Sequence, residues 1–190
     1  MNDALPTRLQ VRGAIEDDFA AITAIYAHHV LTGTATFEID PPDSAEMARR
    51  WRDVTQRGLP YLVATEGADV VGYAYAGPYR PRPAYRFTAE DSIYVRNDVC
   101  GRGIGRTLLA ALIEACERSS IRQMIAVIGD SANGASISVH AKFGFVHAGL
   151  LTSVGYKLGR WLDVVLMQRF IGDGDTTSPI ATASNFSEAS

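Results

Sequence analysis

The sequence predicts a single mixed α/β domain, a largely antiparallel twisted central sheet flanked by helices, and three observations lead there. Short runs with apolar residues at every second position interleave with runs at helical spacing. In chain order they read strand, helices, an antiparallel run of strands, helix, strand, helix, strands. At about 150 residues per domain, the 190 residues make one domain with a remainder. The composition, 47% hydrophobic, 21% charged and 9% aromatic, is that of a soluble globular chain and excludes collagen-like, coiled-coil and disordered classes.

The elements follow in order. Leu9, Val11 and Gly13 alternate with polar residues as a short opening strand. Asp17 or Asp18 caps a helix with Phe19, Ile22, Ile25, Tyr26 and Val30 on one face, and Gly33 ends it. Thr34–Asp40 is read as extended, broken by Pro41 and Pro42. A second helix opens near Asp43 or Ser44 and turns Met47, Trp51 and Val54 inward. Pro60–Glu66 and Val70–Tyr79 form an antiparallel hairpin about Gly67, Ala68 and Asp69. A proline-rich connection leads to a strand over Arg86–Val95. The strongest helical stripe runs through Leu108, Leu109, Leu112, Ile113 and Cys116. Met124–Ile128 is a short strand, Ala135–Phe143 a helix, and Phe145–Leu151 and Trp161–Phe170 the closing strands. The domain is expected over residues 8–171, with a small, polar and aperiodic flexible tail over 172–190.

Several function classes drop out. With 18 Lys and Arg against 21 Asp and Glu, the net charge of −3 gives no clustered positive field, so nucleic acid is not an expected partner. No run approaches the roughly 20 apolar residues that span a bilayer, and the N-terminus lacks a signal-peptide pattern, so no membrane partner and a cytoplasmic location are expected. Cys100 and Cys116 form no disulfide framework. The cysteines and His28, His29, His140 and His147 lack metal-ligand spacing, so no metal is expected.

The most informative stretch is Gly101-Arg102-Gly103-Ile104-Gly105-Arg106, between a strand and the long helix. Glycines at a helix N-terminus let an anion approach unpaired backbone N–H groups. Their spacing fits neither G-x-G-x-x-G nor G-x-x-x-x-G-K-[ST], which removes dinucleotide-fold and P-loop readings. A tight strand-to-helix turn is the plain alternative.

Here the sequence resembles the GNAT superfamily of acetyl-coenzyme A-dependent N-acetyltransferases, whose loop reads Gln/Arg-x-x-Gly-x-Gly/Ala. Gly103 and Gly105 match, and Cys100 stands where the family has Gln or Arg. Downstream, Asn133-x-x-Ser136-x-x-Val139-His140-x-Lys142-x-Gly144-Phe145 resembles a second family motif. Phe87–Val95, His140 in place of the usual tyrosine, and Val154–Asp163 are similar to the phosphinothricin and methionine sulfone/sulfoximine N-acetyltransferases. The resemblance spans roughly Val11 to Phe170 and implies the GNAT fold and acetyl-CoA as co-substrate. It also implies a small amino-acid-like amine as acceptor, detoxification as the outcome, and a homodimer.

For the chemistry, period-two alternation puts Arg86, Thr88, Glu90, Ser92 and Tyr94 on one strand face. Arg86 and Glu90 then form either a surface ion pair or, as the resemblance implies, part of the site, with Glu90 as general base and Arg86 on an anionic substrate group. Full ground-state proton transfer from an ammonium to an unperturbed carboxylate is uphill by roughly 5 kcal/mol, so Glu90 would act with a raised pKa, through water, or on the tetrahedral intermediate. His140 either donates to the leaving sulfur or is a satisfied helix residue. The resemblance places the backbone of Ile93, Tyr94 and Val95 along the pantetheine arm and the Gly101–Arg106 loop on the pyrophosphate. Asn133 either bonds that arm or caps its helix. Arg80 and Arg86, with Tyr85, Thr88 and Phe37, are the expected acceptor contacts, since guanidinium forks suit a carboxylate or phosphinate. The competing readings are a GNAT enzyme for another amine (a polyamine, an aminoglycoside, a protein N-terminus) and a non-catalytic acetyl-CoA-binding module.

Overall fold

The computed structural model describes residues 8–179. Seven strands form one sheet: β1 (Leu9–Gly13), β2 (Tyr61–Glu66), β3 (Asp69–Pro78), β4 (Thr88–Val95), β5 (Gln123–Gly129), β6 (Val146–Lys157) and β7 (Arg160–Phe170). Four helices accompany them: α1 (Phe19–Thr32), α2 (Ser44–Gln56), α3 (Ile104–Glu117) and α4 (Gly134–Lys142). The strand order is β1-β2-β3-β4-β5-β7-β6, and every pairing is antiparallel except β4 with β5. That parallel pair is joined by the α3 crossover, since neighbouring parallel strands need a long connection that brings the chain back to the same end of the sheet.

The two sides of the sheet are packed differently. Against one lies α3, whose Leu108, Leu109, Leu112 and Ile113 meet Ala64, Ala74, Ala76, Ala89 and Ala126 on the strands. Alanines there let the helix approach closely. Against the other lie α1 and α2, and here the strands contribute Tyr61, Tyr73 and Tyr94 beside Phe19, Ile22 and Tyr26. Tyr61 and Tyr73 stack with centroids 5.9 Å apart, and Tyr26 meets Tyr94 edge-on at 5.0 Å.

Most expected elements fall within one or two residues of their predicted bounds, and the exceptions have local causes. Asp18 does not cap α1 through its side chain. Its carboxylate closes the 3-10 turn Glu16–Asp18 by accepting from Ile15 N at 2.8 Å and takes a forked bond from Arg12 at 2.7 and 2.8 Å. Asp43 caps α2, accepting from Glu46 N at 2.8 Å. The stretch 34–40 pairs with no strand. β4 begins at Thr88 rather than Arg86, because Pro83–Tyr85 closes a 3-10 turn whose last bond, Arg86 N to Pro83 O, holds Arg86 off the strand. β6 continues to Lys157, past the expected Leu151, because bulges at His147/Gly149 and Leu151/Gly155 re-phase its pairing with β7. Of the expected tail, residues 172–179 turn back on the body: Asp173 lies 3.3 Å from Arg122, which also donates to Thr177 at 3.1 Å. Residues 180–190 lie outside the described residues. Among the described residues, no helix is long and apolar enough to cross a membrane.

Candidate active site

The site begins where a hydrogen-bond ladder stops. β4 and β5 pair from Thr88/Gln123 to Asp91/Ala126 and no further, although β4 runs on to Val95 and β5 to Gly129. The two strands part, and a cavity of about 240 Å³ opens in the gap, lined by Ser92–Tyr94, Val127–Gly129, Glu90 and residues of α4. Backbone groups on the facing edges of a split ladder are free to bond an extended molecule laid between them.

α3 starts at the mouth of this gap. Gly103 is its N-cap at φ +84°, preceded by Gly101 at φ +81°, so the loop needs a left-handed backbone twice and has no cap side chain to occupy the first-turn N–H groups. Gly105 packs near Val95 and Ile93 of β4. Ile104 is buried, and Arg106 is exposed in the first turn. Arg102 is drawn aside to Glu66, at 2.6 Å. Cys100 is exposed, 3.5 Å from the Arg96 carbonyl. The geometry is that of an anion cradle built from backbone.

Glu90 faces the gap from the α1/α2 side. Among the described residues its carboxylate accepts no hydrogen bond. Burial raises its pKa, the neighbouring Asp91 charge adds to the rise, and Arg80 partly offsets it. Glu90 also borders a second opening of about 370 Å³ on the α2 side, shared with Tyr75, Ser92, Arg50 and Arg57, so it stands between two openings.

Asp91 points the other way, with Oδ2 committed and Oδ1 buried without a partner among the described residues. His140 of α4 donates Nε2 to Asp91 Oδ2 at 2.9 Å and Nδ1 to the Ser136 carbonyl at 2.8 Å, with the His140 and Asp91 side chains almost fully buried. Burial alone lowers the pKa of His140, but the bond and charge of Asp91 outweigh it and the net shift is upward. Two acceptors on two ring nitrogens suit an imidazolium. His140 reaches a sulfur in the gap only by releasing one of these bonds. Asn133 caps α4, accepting from Ser136 N at 3.2 Å, and lines the same cavity, so both readings of this residue are compatible with its position.

The expected acceptor residues divide between two places. Phe37 lines the central cavity. Arg80, Tyr85, Arg86 and Thr88 line a separate groove of about 800 Å³ beside it. Arg86 is the clearest departure from the strand reading: it bonds Pro83 O at 3.2 Å and stacks on Phe87, so it neither pairs with Glu90 nor shares its strand face. Arg80 sits over Tyr79 and is the member whose charge acts on Glu90. Sequence reasoning missed Asp91, Ser136, Tyr26 and Thr36. Asp91 had a signal, being the one charged residue on a face otherwise made of Ala89, Ile93 and Val95; a carboxylate there needs a buried partner. Among the described residues, no group of three or more His, Cys, Asp or Glu side chains is placed to hold a metal ion.

A sheet split between two parallel strands, with an uncapped helix N-terminus near the gap and a carboxylate inside, is suited to an enzyme that lays an extended, anionic co-substrate beside a proton acceptor. Known proteins agree. The acetyltransferase (GNAT) domain model matches residues 11–166. The phosphinothricin N-acetyltransferase of Alcaligenes faecalis is 59% identical over 169 residues, 89% of this chain and 86% of that protein. The L-methionine sulfoximine/L-methionine sulfone acetyltransferase of Pseudomonas aeruginosa is 42% identical over 160 residues, 83% of this chain and 92% of the other. The crystal structure of a GNAT superfamily phosphinothricin acetyltransferase from Sinorhizobium meliloti in complex with AcCoA superposes with a TM-score of 0.88, at 46% identity, covering 92% of this chain and 94% of that one. The chain belongs to the GNAT acetyltransferase family, as its sequence motifs suggested.

Proposed function

We propose that the protein transfers an acetyl group from acetyl-CoA to the amine of a small amino-acid-like acceptor of the phosphinothricin or methionine sulfone/sulfoximine type. The carrying observation is the interruption of the β4–β5 ladder beside a carboxylate that has no bond partner among the described residues. The residues fit the co-substrate: the N–H groups of Ile104, Gly105 and Arg106 suit a pyrophosphate, and the edges of Ile93–Val95 and Val127–Gly129 beyond the end of the ladder suit an amide-bearing arm, with the Val95 carbonyl already held by His29 Nε2 at 2.8 Å.

In this reading Glu90 is the general base. Its raised pKa brings a carboxylate closer to that of the amine it must deprotonate, directly or through water. The neutral amine then attacks the thioester carbon, the carbon–sulfur bond breaks, and the thiolate leaves as the amide forms, the surplus proton on nitrogen passing to the departing sulfur or to water, with no enzyme-bound acyl intermediate. A backbone N–H at the widening end of β4, at Tyr94 or Val95, stabilises the oxyanion. His140, held by Asp91 and Ser136, keeps α4 and Asn133 against the gap, and donates to the departing sulfur only on releasing one of its two bonds. Arg80 supplies the positive field for the acceptor's anionic group, and the groove beside it, with Arg86, Tyr85 and Thr88, is its approach. The similarity to enzymes named for phosphinothricin and methionine sulfoximine supports this acceptor class over polyamines, aminoglycosides and peptides. Detoxification in the cytoplasm is the corresponding role.

We also propose a homodimer through β6. This edge strand leaves Val146, Leu150, Leu151, Val154 and Tyr156 exposed, with Trp161 beside them on β7, a concentration of exposed apolar side chains at one sheet edge of the kind that pairs with a copy of itself. Sedimentation at micromolar concentration should give twice the chain mass, and Leu150→Glu with Val154→Glu should halve it.

The deciding experiment follows thiol release from acetyl-CoA with a panel of phosphinothricin, methionine sulfone, methionine sulfoximine, spermidine, an aminoglycoside and a peptide. Release with the first three supports the proposal. Release only with another amine reassigns the acceptor, and tight acetyl-CoA binding with no release from any amine favours a binding module.

A further inference from the structure

The ring of Phe37 is seated on backbone that has no side chain. It lies over Gly155 of β6 and beside Gly129 at the end of β5. A Cβ on Gly155 would stand 2.0 Å from Phe37 Cε1 and 2.3 Å from Cδ1; one on Gly129 would stand 3.3 Å from Cε2. The bulge between Leu151 and Gly155 brings this glycine opposite Leu162, at the end of the sheet where the cavity opens.

The segment that carries Phe37 cannot retreat. Lys157, buried two residues beyond Gly155, donates Nζ to the Thr36 carbonyl at 2.7 Å. The Thr36 hydroxyl bonds the Tyr26 hydroxyl at 2.9 Å, and Tyr26 donates to Glu38 at 2.9 Å. Arg50 of α2 closes on Glu38 at 2.6 Å. Phe37 is thus fixed on its N-terminal side by α1 and β6 and on its C-terminal side by α1 and α2, while its ring forms one wall of the cavity that contains Glu90. A methyl group added at 155 must displace the ring, which is half-exposed and whose other open side is that cavity, so the chamber wall shifts.

We propose that Gly155 is a specificity-determining position: by lacking a side chain it seats the Phe37 ring as a wall of the acceptor chamber and so sets the size of the acceptor that reaches Glu90. Gly155 is a positioning residue, acting through Phe37 and touching no reacting atom. The inference rests on the acetyl-transfer reading above, with Phe37 on the acceptor side.

The experiment compares wild type, Gly155→Ala, Phe37→Leu and the double variant by steady-state thiol release. The acceptors are methionine sulfone and its longer homologue ethionine sulfone, with acetyl-CoA affinity measured by calorimetry. Gly155→Ala should raise the acceptor KM by about tenfold or more, because displacements of about an ångström in a shaped pocket have effects of this size. The rise should be larger for ethionine sulfone, and larger than any change in acetyl-CoA affinity. Phe37→Leu in the same chain should bring KM back, which a general loss of folding would not allow. An unchanged KM in folded Gly155→Ala, or a rise that Phe37→Leu does not relieve, overturns the proposal. Where Gly155→Ala does not fold, Phe37→Leu alone decides: it should lower the KM of ethionine sulfone relative to methionine sulfone, and an unchanged ratio overturns the idea. Wild-type turnover with unaltered size selection in the variants sinks this inference alone, whereas no wild-type thiol release with either sulfone overturns the acceptor reading and this inference with it.

Discussion

On the α1/α2 side of the sheet β4 presents Glu90, Ser92 and Tyr94, and on the α3/α4 side it presents Ala89, Asp91 and Ile93, so two adjacent carboxylates occupy two environments. Asp91 is buried and bonded to His140 at 2.9 Å, an arrangement that holds α4 to the sheet. Glu90 is half-buried beside open space with no bond of its own, and its pKa is raised. The comparison teaches that burial does not by itself make a residue structural or functional. A carboxylate with a fixed partner is committed to architecture, and one left without a partner at the edge of a cavity is available for chemistry.

Exchanging the two carboxylates separately breaks the comparison most sharply. Glu90→Gln is expected to lower kcat by about 10²–10⁴-fold, the range for a general base, while leaving acetyl-CoA affinity and thermal stability close to wild type. With Glu90 present, kcat/KM should rise with pH through a pKa above the ordinary 4.5, because the base must be deprotonated to act. That acid limb should vanish in the variant, and retained activity across pH would remove Glu90 from the role. Asp91→Asn should do the reverse in kind. Loss of a buried charge-assisted bond is expected to cost about 1.5–3 kcal/mol by denaturant unfolding, with the His140 pKa falling in NMR titration. A variant as stable as wild type would refute the architectural reading of this pair.

Gly103→Ala tests the loop on the α3 side. An L side chain at φ +84° costs about 1–2 kcal/mol, and weaker acetyl-CoA binding without a matching change in acceptor KM is expected by calorimetry. The smallest effect is the pH dependence of the His140–Asp91 pair. The folded pKa of His140 lies above the ordinary 6.5, so the stabilisation it brings is fully present below 6.5 and is lost as pH rises through the folded value. The melting-temperature gap between wild type and His140→Gln should therefore narrow from acid to alkaline pH.

Much of this is legible in the residues. Period-two and period-3.6 patterns locate each strand and helix, the glycine run marks the left-handed loop that opens α3, and strand parity puts Glu90 opposite Asp91. What stays hidden depends on partners far apart in the chain. The split between β4 and β5 is a matter of where a ladder ends, which no local pattern encodes. The bond of Asp91 to His140 spans 49 residues, and the seat of Phe37 needs glycines at 129 and 155. Alternation places Arg86 on the strand because it extends a strand until something stops it, and here the stop is the 3-10 turn begun by Pro83. The role of 34–38 is hidden because its anchors, Tyr26, Arg50 and Lys157, lie on three other elements.

The insertion of β7 between β5 and β6 has a consequence for biosynthesis. As the chain leaves the ribosome, β1 to β5 can assemble with α3, but the outer edge of β5 stays bare until residues 160–170 emerge to pair with it. For that interval the nascent protein carries an apolar strand edge, Met124 to Ile128, of the sort that recruits other strands. A chain stalled or truncated before Arg160 should accumulate in inclusion bodies, whereas one cut after Pro179 keeps every strand of the sheet.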